Sequence, residues 1–104
     1  FSHGVWIRNS DMHTIFDLER MEKSNREVDI VVEPHVWVGQ DALLMKCKTI
    51  GLGSIIGARS LVRGDVEPFT LAAGVPARTV KKRVSWDRGL VVRRETLEFL
   101  RTFE

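Results

Sequence analysis

Three histidines and one cysteine are the side chains of this 104-residue chain best suited to moving a proton or attacking an electrophile. His13 lies in SDMHTIFD, directly ahead of the polar stretch LERMEKSNREV. An imidazole titrates near neutrality and accepts a hydroxyl proton without a large ionisation cost, so His13 has the chemistry of a general base. Asp11 and Asp17 are close enough in sequence to orient its second ring nitrogen. A histidine that merely occupies a turn has the same neighbours, and the residues alone leave both roles open. Trp37 follows His13 by 24 residues and offers an apolar wall with one N–H donor, a pairing that suits a sugar ring; packing on an outer wall is equally compatible. Alternation turns the nearby His35 to a different side, as a surface or corner residue. Cys47 has no partner for an intrachain disulfide, and a small residue at a corner is its favoured reading over a nucleophile.

A metal centre has little to build on. His3, His13 and His35 are separated by 10 and 22 residues, without the close pair and distant third ligand of a zinc site. Sixteen basic and fourteen acidic residues give a net charge of +2, too small for a general polyanion binder. The charge is uneven: Arg78, Lys81, Lys82 and Arg83 cluster late in the chain, whereas acids are denser between Asp11 and Glu33. A local basic patch fits a phosphate-bearing ligand better than nucleic acid, for which neither an aromatic strand platform nor a recognition helix is present. No stretch reaches the roughly 20 apolar residues of a membrane span, and no secretory leader is visible, so a cytoplasmic location is the expectation.

The elements that must position these residues follow a six-residue beat. Val32, Val38, Leu44, Ile50, Ile56 and Val62 open the hexads VEPHVW, VGQDAL, LMKCKT, IGLGSI, IGARSL and VRGDVE. An amphipathic helix would need a different period and fewer glycines. The fifth positions, Val36, Ala42, Lys48, Ser54, Ser60 and Val66, are mostly small and expected to turn inward at corners. Three hexads make an 18-residue coil, and stacked coils bury columns that one coil alone leaves wet. Val32 is then expected beside Ile50, Val38 beside Ile56, and Leu44 beside Val62. A β-sandwich with glycine-rich turns is the competing reading, disfavoured by six consecutive hits at one period.

The hexads resemble those of the left-handed parallel β-helix acyltransferases. With SDMHTIFD, the polar loop, VEPHVWVGQDALLMKCKTIGLGSIIGARSLV and TLAAGVPARTV, the chain resembles the maltose/galactoside/chloramphenicol acetyltransferase branch over most of residues 7–83. That resemblance implies an all-β, left-handed parallel β-helix assembled as a homotrimer, with acetyl-CoA as acyl donor and a sugar or other small hydroxyl acceptor. Within it His13 holds the position of the essential histidine, with Asp11 and Trp37 near the acceptor. Gly57, Ala58, Ser60, Ala73 and Gly74 match the small-residue wall along the pantetheine arm, and Arg78, Lys81 and Lys82 are placed toward the phosphates. Cys47 and Lys48 depart from the family pattern. So does the start of the chain: relatives carry further N-terminal coils, and the expectation is an excerpt of a longer protein. A β-helical scaffold without activity is the second class that the repeats alone allow.

The expected organisation is a β-helix over residues 1–75 and a basic exit segment with a C-terminal extension over 76–104. The 16–29 loop interrupts the period; Leu18, Met21 and Val28 are candidates to pin it, with a short helical turn over Leu18–Lys23. Beyond Pro76, a short cationic helix or turn is expected through Ala77–Lys82, then a break at Ser85–Asp87, a strand at Leu90–Val92 and a final helix within Glu95–Glu104.

Overall fold

The computed structural model describes residues 1–10, 15–23, 29–89 and 92–102. Six short strands follow the hexads: β4 (Val31–Val32), β5 (Trp37–Val38), β6 (Leu43–Met45), β7 (Thr49–Ile50), β8 (Ile55–Ile56) and β9 (Leu61–Val62). They are preceded by β1 (Trp6–Arg8), β2 (Phe16–Asp17) and β3 (Glu22–Lys23), and followed by β10 (Thr70–Gly74), β11 (Ala77–Lys82) and helix α1 (Arg94–Arg101). The chain visits three parallel sheets in rotation. Val32 pairs with Ile50, Val38 with Ile56 and Leu44 with Val62, as the period predicts. The fold is all-β and strand-rich, with parallel sheets and one short C-terminal helix.

Because alternate residues of a strand face opposite ways, the paired aliphatics all point to one interior. Val38, Leu44, Ile50 and Ile56 are wholly buried there and Val62 is nearly so. Their neighbours form outward ladders instead, Trp6–Leu43–Leu61 on one sheet and Trp37–Ile55–Leu71 on another. Corners are made by residues in the left-handed region: His35 (φ +56°), Asp41 (+58°), Lys46 (+54°), Gly53 (+71°) and Arg59 (+57°). Left-handed backbone costs a non-glycine residue roughly 1–2 kcal/mol. Stacked corners offset this: the Arg59 N–H donates to the Gln40 carbonyl at 2.8 Å, and the Gly53 N–H to that of Pro34 at 3.1 Å. The residue after each corner turns inward, and Ala42, Cys47, Ser54 and Ser60 are all buried.

The structure corrects four expectations. Lys48 is exposed and Cys47 takes the inward place, because the third corner comes one residue early, at Lys46. The beat also shortens once. After Val62 the chain turns at Arg63–Asp65, and Val66 bridges to Ile50 while Ala72 pairs with Ile56, both 16 residues on instead of 18. Asp65 holds this shortened corner by accepting the N–H groups of Lys48 and Thr49 at 3.1 Å each. Residues 18–23 form the turn and second strand of a β2–β3 hairpin, with Asp17 Oδ1 accepting the N–H of Glu19 at 2.8 Å; Leu18 and Met21 are 80% and 71% exposed, with no packing role among the described residues, and Val28 lies outside them. Finally, Ala77–Lys82 is a strand antiparallel to β10, since the β10 edge offers unpaired backbone groups that a strand satisfies and a helix cannot.

Upstream, Ile7 pairs with Leu44 across 37 residues, so the extra 19 are absorbed by the segment between β1 and β4. Of the expected strand Leu90–Val92, Leu90 and Val91 lie outside the described residues and Val92 is not in a strand; the end of the expected final helix, Phe103 and Glu104, also lies outside them. No helix among the described residues is long and apolar enough to cross a membrane. Truncating a stacked aliphatic is expected to open a cavity: Leu44→Ala should cost about 2–5 kcal/mol in urea unfolding, and Val31→Ala, on an exposed side chain, less than about 1 kcal/mol.

Candidate active site

The longest sheet, β5–β8–β10–β11, carries most of the candidate residues. At its leading end Trp37 stands 44% exposed on the outer face, beside Ile55, which Leu71 flanks on its other side. A cleft of about 880 Å³ opens there, bordered by Trp37, Glu33, His35, Trp86, Arg88 and Arg93. His35 is the corner residue that the sequence indicates. Its ring stacks on Trp86 at 4.4 Å between centroids, and Phe99 approaches at 5.9 Å. Trp86 meets Trp37 at 5.8 Å in a tilted arrangement.

At the trailing end the small residues converge. Gly57 donates its N–H to the Ala72 carbonyl at 2.9 Å, and a Cβ on Gly57 would lie 2.9 Å from that of Ala73. The Ser60 hydroxyl accepts the Gly74 N–H at 3.1 Å, which ties the β9 corner to the end of β10. Gly57, Ser60, Ala73 and Gly74 therefore share one place, with Ala58 exposed beside them. Ser60 is buried, so it braces this wall from behind. Arg78 stands opposite Ala73 on β11, next to the wall. Lys81 and Lys82 lie opposite Leu71 and Thr70, the latter about 10 Å further along the strand. All three cations are exposed, and the 3.6 Å pair between Lys82 and Glu67 leaves Lys82 in solvent.

His13 and Asp11 lie outside the described residues. Cys47 is buried, and its thiol is pushed up by that burial, with the Asp65 carboxylate adding to the rise. A protonated, inaccessible thiol is a poor nucleophile. Arg59 and Arg63 face solvent, Arg59 at 4.0 Å from Asp41. Sequence reasoning missed Trp86. Its signal was present: a lone tryptophan in the polar segment after the repeats, where a large apolar ring needs a partner.

No family model matches the chain. The chloramphenicol acetyltransferase of Escherichia coli is 38% identical over 87 residues, covering 72% of this chain and 41% of that protein. The solved polysialic-acid-specific acetyltransferase NeuO superposes on 96% of the chain with a TM-score of 0.91 at 32% identity. The chain belongs to the hexapeptide-repeat acetyltransferases. A third relative in this family, the hexapeptide-repeat acetyltransferase VCA0836 of Vibrio cholerae, was solved with acetyl-CoA and overlays 77% of the chain with a TM-score of 0.60 at 28% identity. The chain spans less than half the length of each of these three acetyltransferases. The tryptophan cleft and the small-residue wall lie on one sheet, Trp37 pairing with Ile55 and Gly57 following two residues further along that strand.

Asp87 anchors the segment that carries Trp86. It accepts the N–H groups of Gly89 at 3.0 Å and Arg93 at 2.7 Å, and the Arg93 Nε–H at 2.8 Å. These bonds, the Gly89 N–H first, hold its carboxyl well below the ordinary value of 3.8. A lowered carboxyl stabilises the fold above its unfolded pKa, and that contribution is lost as pH falls through the acidic range below 3.8. The stability gap between wild type and Asp87→Asn, followed by urea unfolding, should be widest above about pH 5 and shrink steadily toward pH 2.

Proposed function

We propose that the protein is an O-acetyltransferase that moves the acetyl group of acetyl-CoA onto a hydroxyl of a sugar or another small acceptor. The overlay of 96% of the chain on an acetyltransferase specific for polysialic acid carries this reading. The strand circuit is read as a left-handed parallel β-helix, residues 1–75, with 76–104 as its exit segment and extension, in a cytoplasmic enzyme. Three copies would pack as a homotrimer through outward ladders such as Trp6–Leu43–Leu61, whose Trp6 is 64% exposed.

The local geometry fits the donor. The gap at Gly57, which a Cβ would fill against Ala73, suits a thin pantetheine arm passing Ala58 and Gly74. Arg78, Lys81 and Lys82 along β11 supply cations to the phosphates. His13 takes the acceptor's proton while the acceptor oxygen, lying against Trp37 near Asp11, bonds to the thioester carbonyl carbon. The C–S bond breaks, and the departing thiolate receives the proton from the imidazolium. Transfer is direct, since the buried Cys47 is not available for an acyl-enzyme.

In the full-length protein, His13→Ala should lower turnover by roughly 10²–10⁴-fold while acetyl-CoA binding and oligomeric mass hold; Cys47→Ala should leave turnover unchanged. Release of free thiol in the presence of sugar, nucleotide-sugar and small-drug acceptors measures both. Near-wild-type turnover in His13→Ala would sink the base assignment. Sedimentation should give three chain masses, and calorimetric affinity for CoA should weaken with salt if the cations meet phosphate.

A further inference from the structure

The C-terminal segment reaches back to the corner that precedes Trp37. Trp86 Nε1–H donates to the His35 carbonyl at 2.9 Å, and His35 Nε2 lies 2.9 Å from the Trp86 carbonyl. A carbonyl oxygen only accepts, so Nε2 carries a hydrogen and the two residues bond reciprocally. The same two rings stack with 13° between their planes. His35 is in the left-handed region, two residues ahead of Trp37, and its backbone sets the direction in which β5 leaves the corner. Among the described residues, Trp37's own polar tip makes a long contact, 3.4 Å from Nε1 to Ser2 Oγ. Its ring is met from the side by Trp86.

We propose that Trp86 is a positioning residue, which through its reciprocal bond to His35 and its contact with Trp37 holds the indole wall of the acceptor site. Acceptor recognition then depends on a segment that lies outside the repeats. This rests on the reading of Trp37 as an acceptor wall. The Asp87 turn is the anchor of the device, because it fixes the backbone immediately after Trp86.

The test uses Trp86→Phe, which keeps a ring for the stack but removes the N–H, and Trp86→Ala, which removes both. In the full-length protein, with both substrates varied, Trp86→Phe should raise the acceptor KM about two- to tenfold, the range of one lost hydrogen bond. Trp86→Ala should raise it by about 10- to 100-fold, the scale of a misplaced contact of roughly 1 Å. The acetyl-CoA KM should stay within about twofold, since Trp86 bonds to His35 and meets Trp37, whereas the small-residue wall is braced by the Ser60 hydroxyl. An unchanged acceptor KM in folded Trp86→Ala overturns the proposal, as does a parallel rise in both KM values with a lowered melting temperature. A second readout needs no turnover. In 5-fluorotryptophan-labelled protein the fluorine resonance of Trp37 should shift and broaden in Trp86→Phe while that of Trp6 stays put. Such a response without turnover of any acceptor would uphold the lock and reject the acceptor reading, whereas an unmoved Trp37 resonance would overturn the lock itself.

Discussion

One circuit of this chain buries too little to hold itself together. Each two- or three-residue strand contributes a single inward aliphatic, and the free energy of burying one such side chain, about 1.5–3 kcal/mol, is of the order lost in fixing the backbone of a residue or two. Stability arises only when Val38 lies on Ile56 and Leu44 on Val62, so that each side chain is covered from along the stack as well as across it. The 18-residue register is therefore the constraint on which the rest depends. It decides which residues are core, which are outward ladders, and where corners must fall.

The corners show how tightly that constraint acts. Four of the five left-handed residues between positions 35 and 59 are not glycine, yet each is held there by the need to bring the next small side chain inside. Satisfied backbone bonds between stacked corners make the conformation tolerable. No described buried side-chain nitrogen or oxygen lacks a partner: Ser54 donates to the Glu67 carbonyl at 2.8 Å, and Thr70 to that of Pro68 at 3.1 Å. The corners at His35 and Gly53 are secured from outside the stack as well, by the Trp86 indole N–H on the His35 carbonyl and by the Ser85 hydroxyl on that of Gly53, each at 2.9 Å.

The core pairs were legible in the sequence because a period of six aliphatics maps directly onto position in the stack. The small-residue wall was legible too: Gly57, Ser60, Ala73 and Gly74 do meet. The rest was harder to read for physical reasons. The shift from Lys48 to Cys47 follows from a corner placed one residue early, and local composition barely distinguishes the two placements. β11 carries three cations in six residues, and its strand state comes from pairing with β10. Trp86 depends on a contact across fifty-one residues, which no local pattern announces.

The 16-residue step at Arg63–Asp65 and the hairpin that follows have a consequence for assembly. A stack of parallel strands presents an unpaired edge at each end, and the opposite end of another molecule can add to it head to tail without limit. After the beat shortens, β10 crosses onto β8 and β11 folds back antiparallel along it, so the edge that would receive another repeat is closed on that sheet. The strand now outermost bears Arg78, Lys81 and Lys82, and cations along an edge discourage a further strand from pairing there. On this sheet, fibril-like growth is thus opposed by the same strand that sets out the cations.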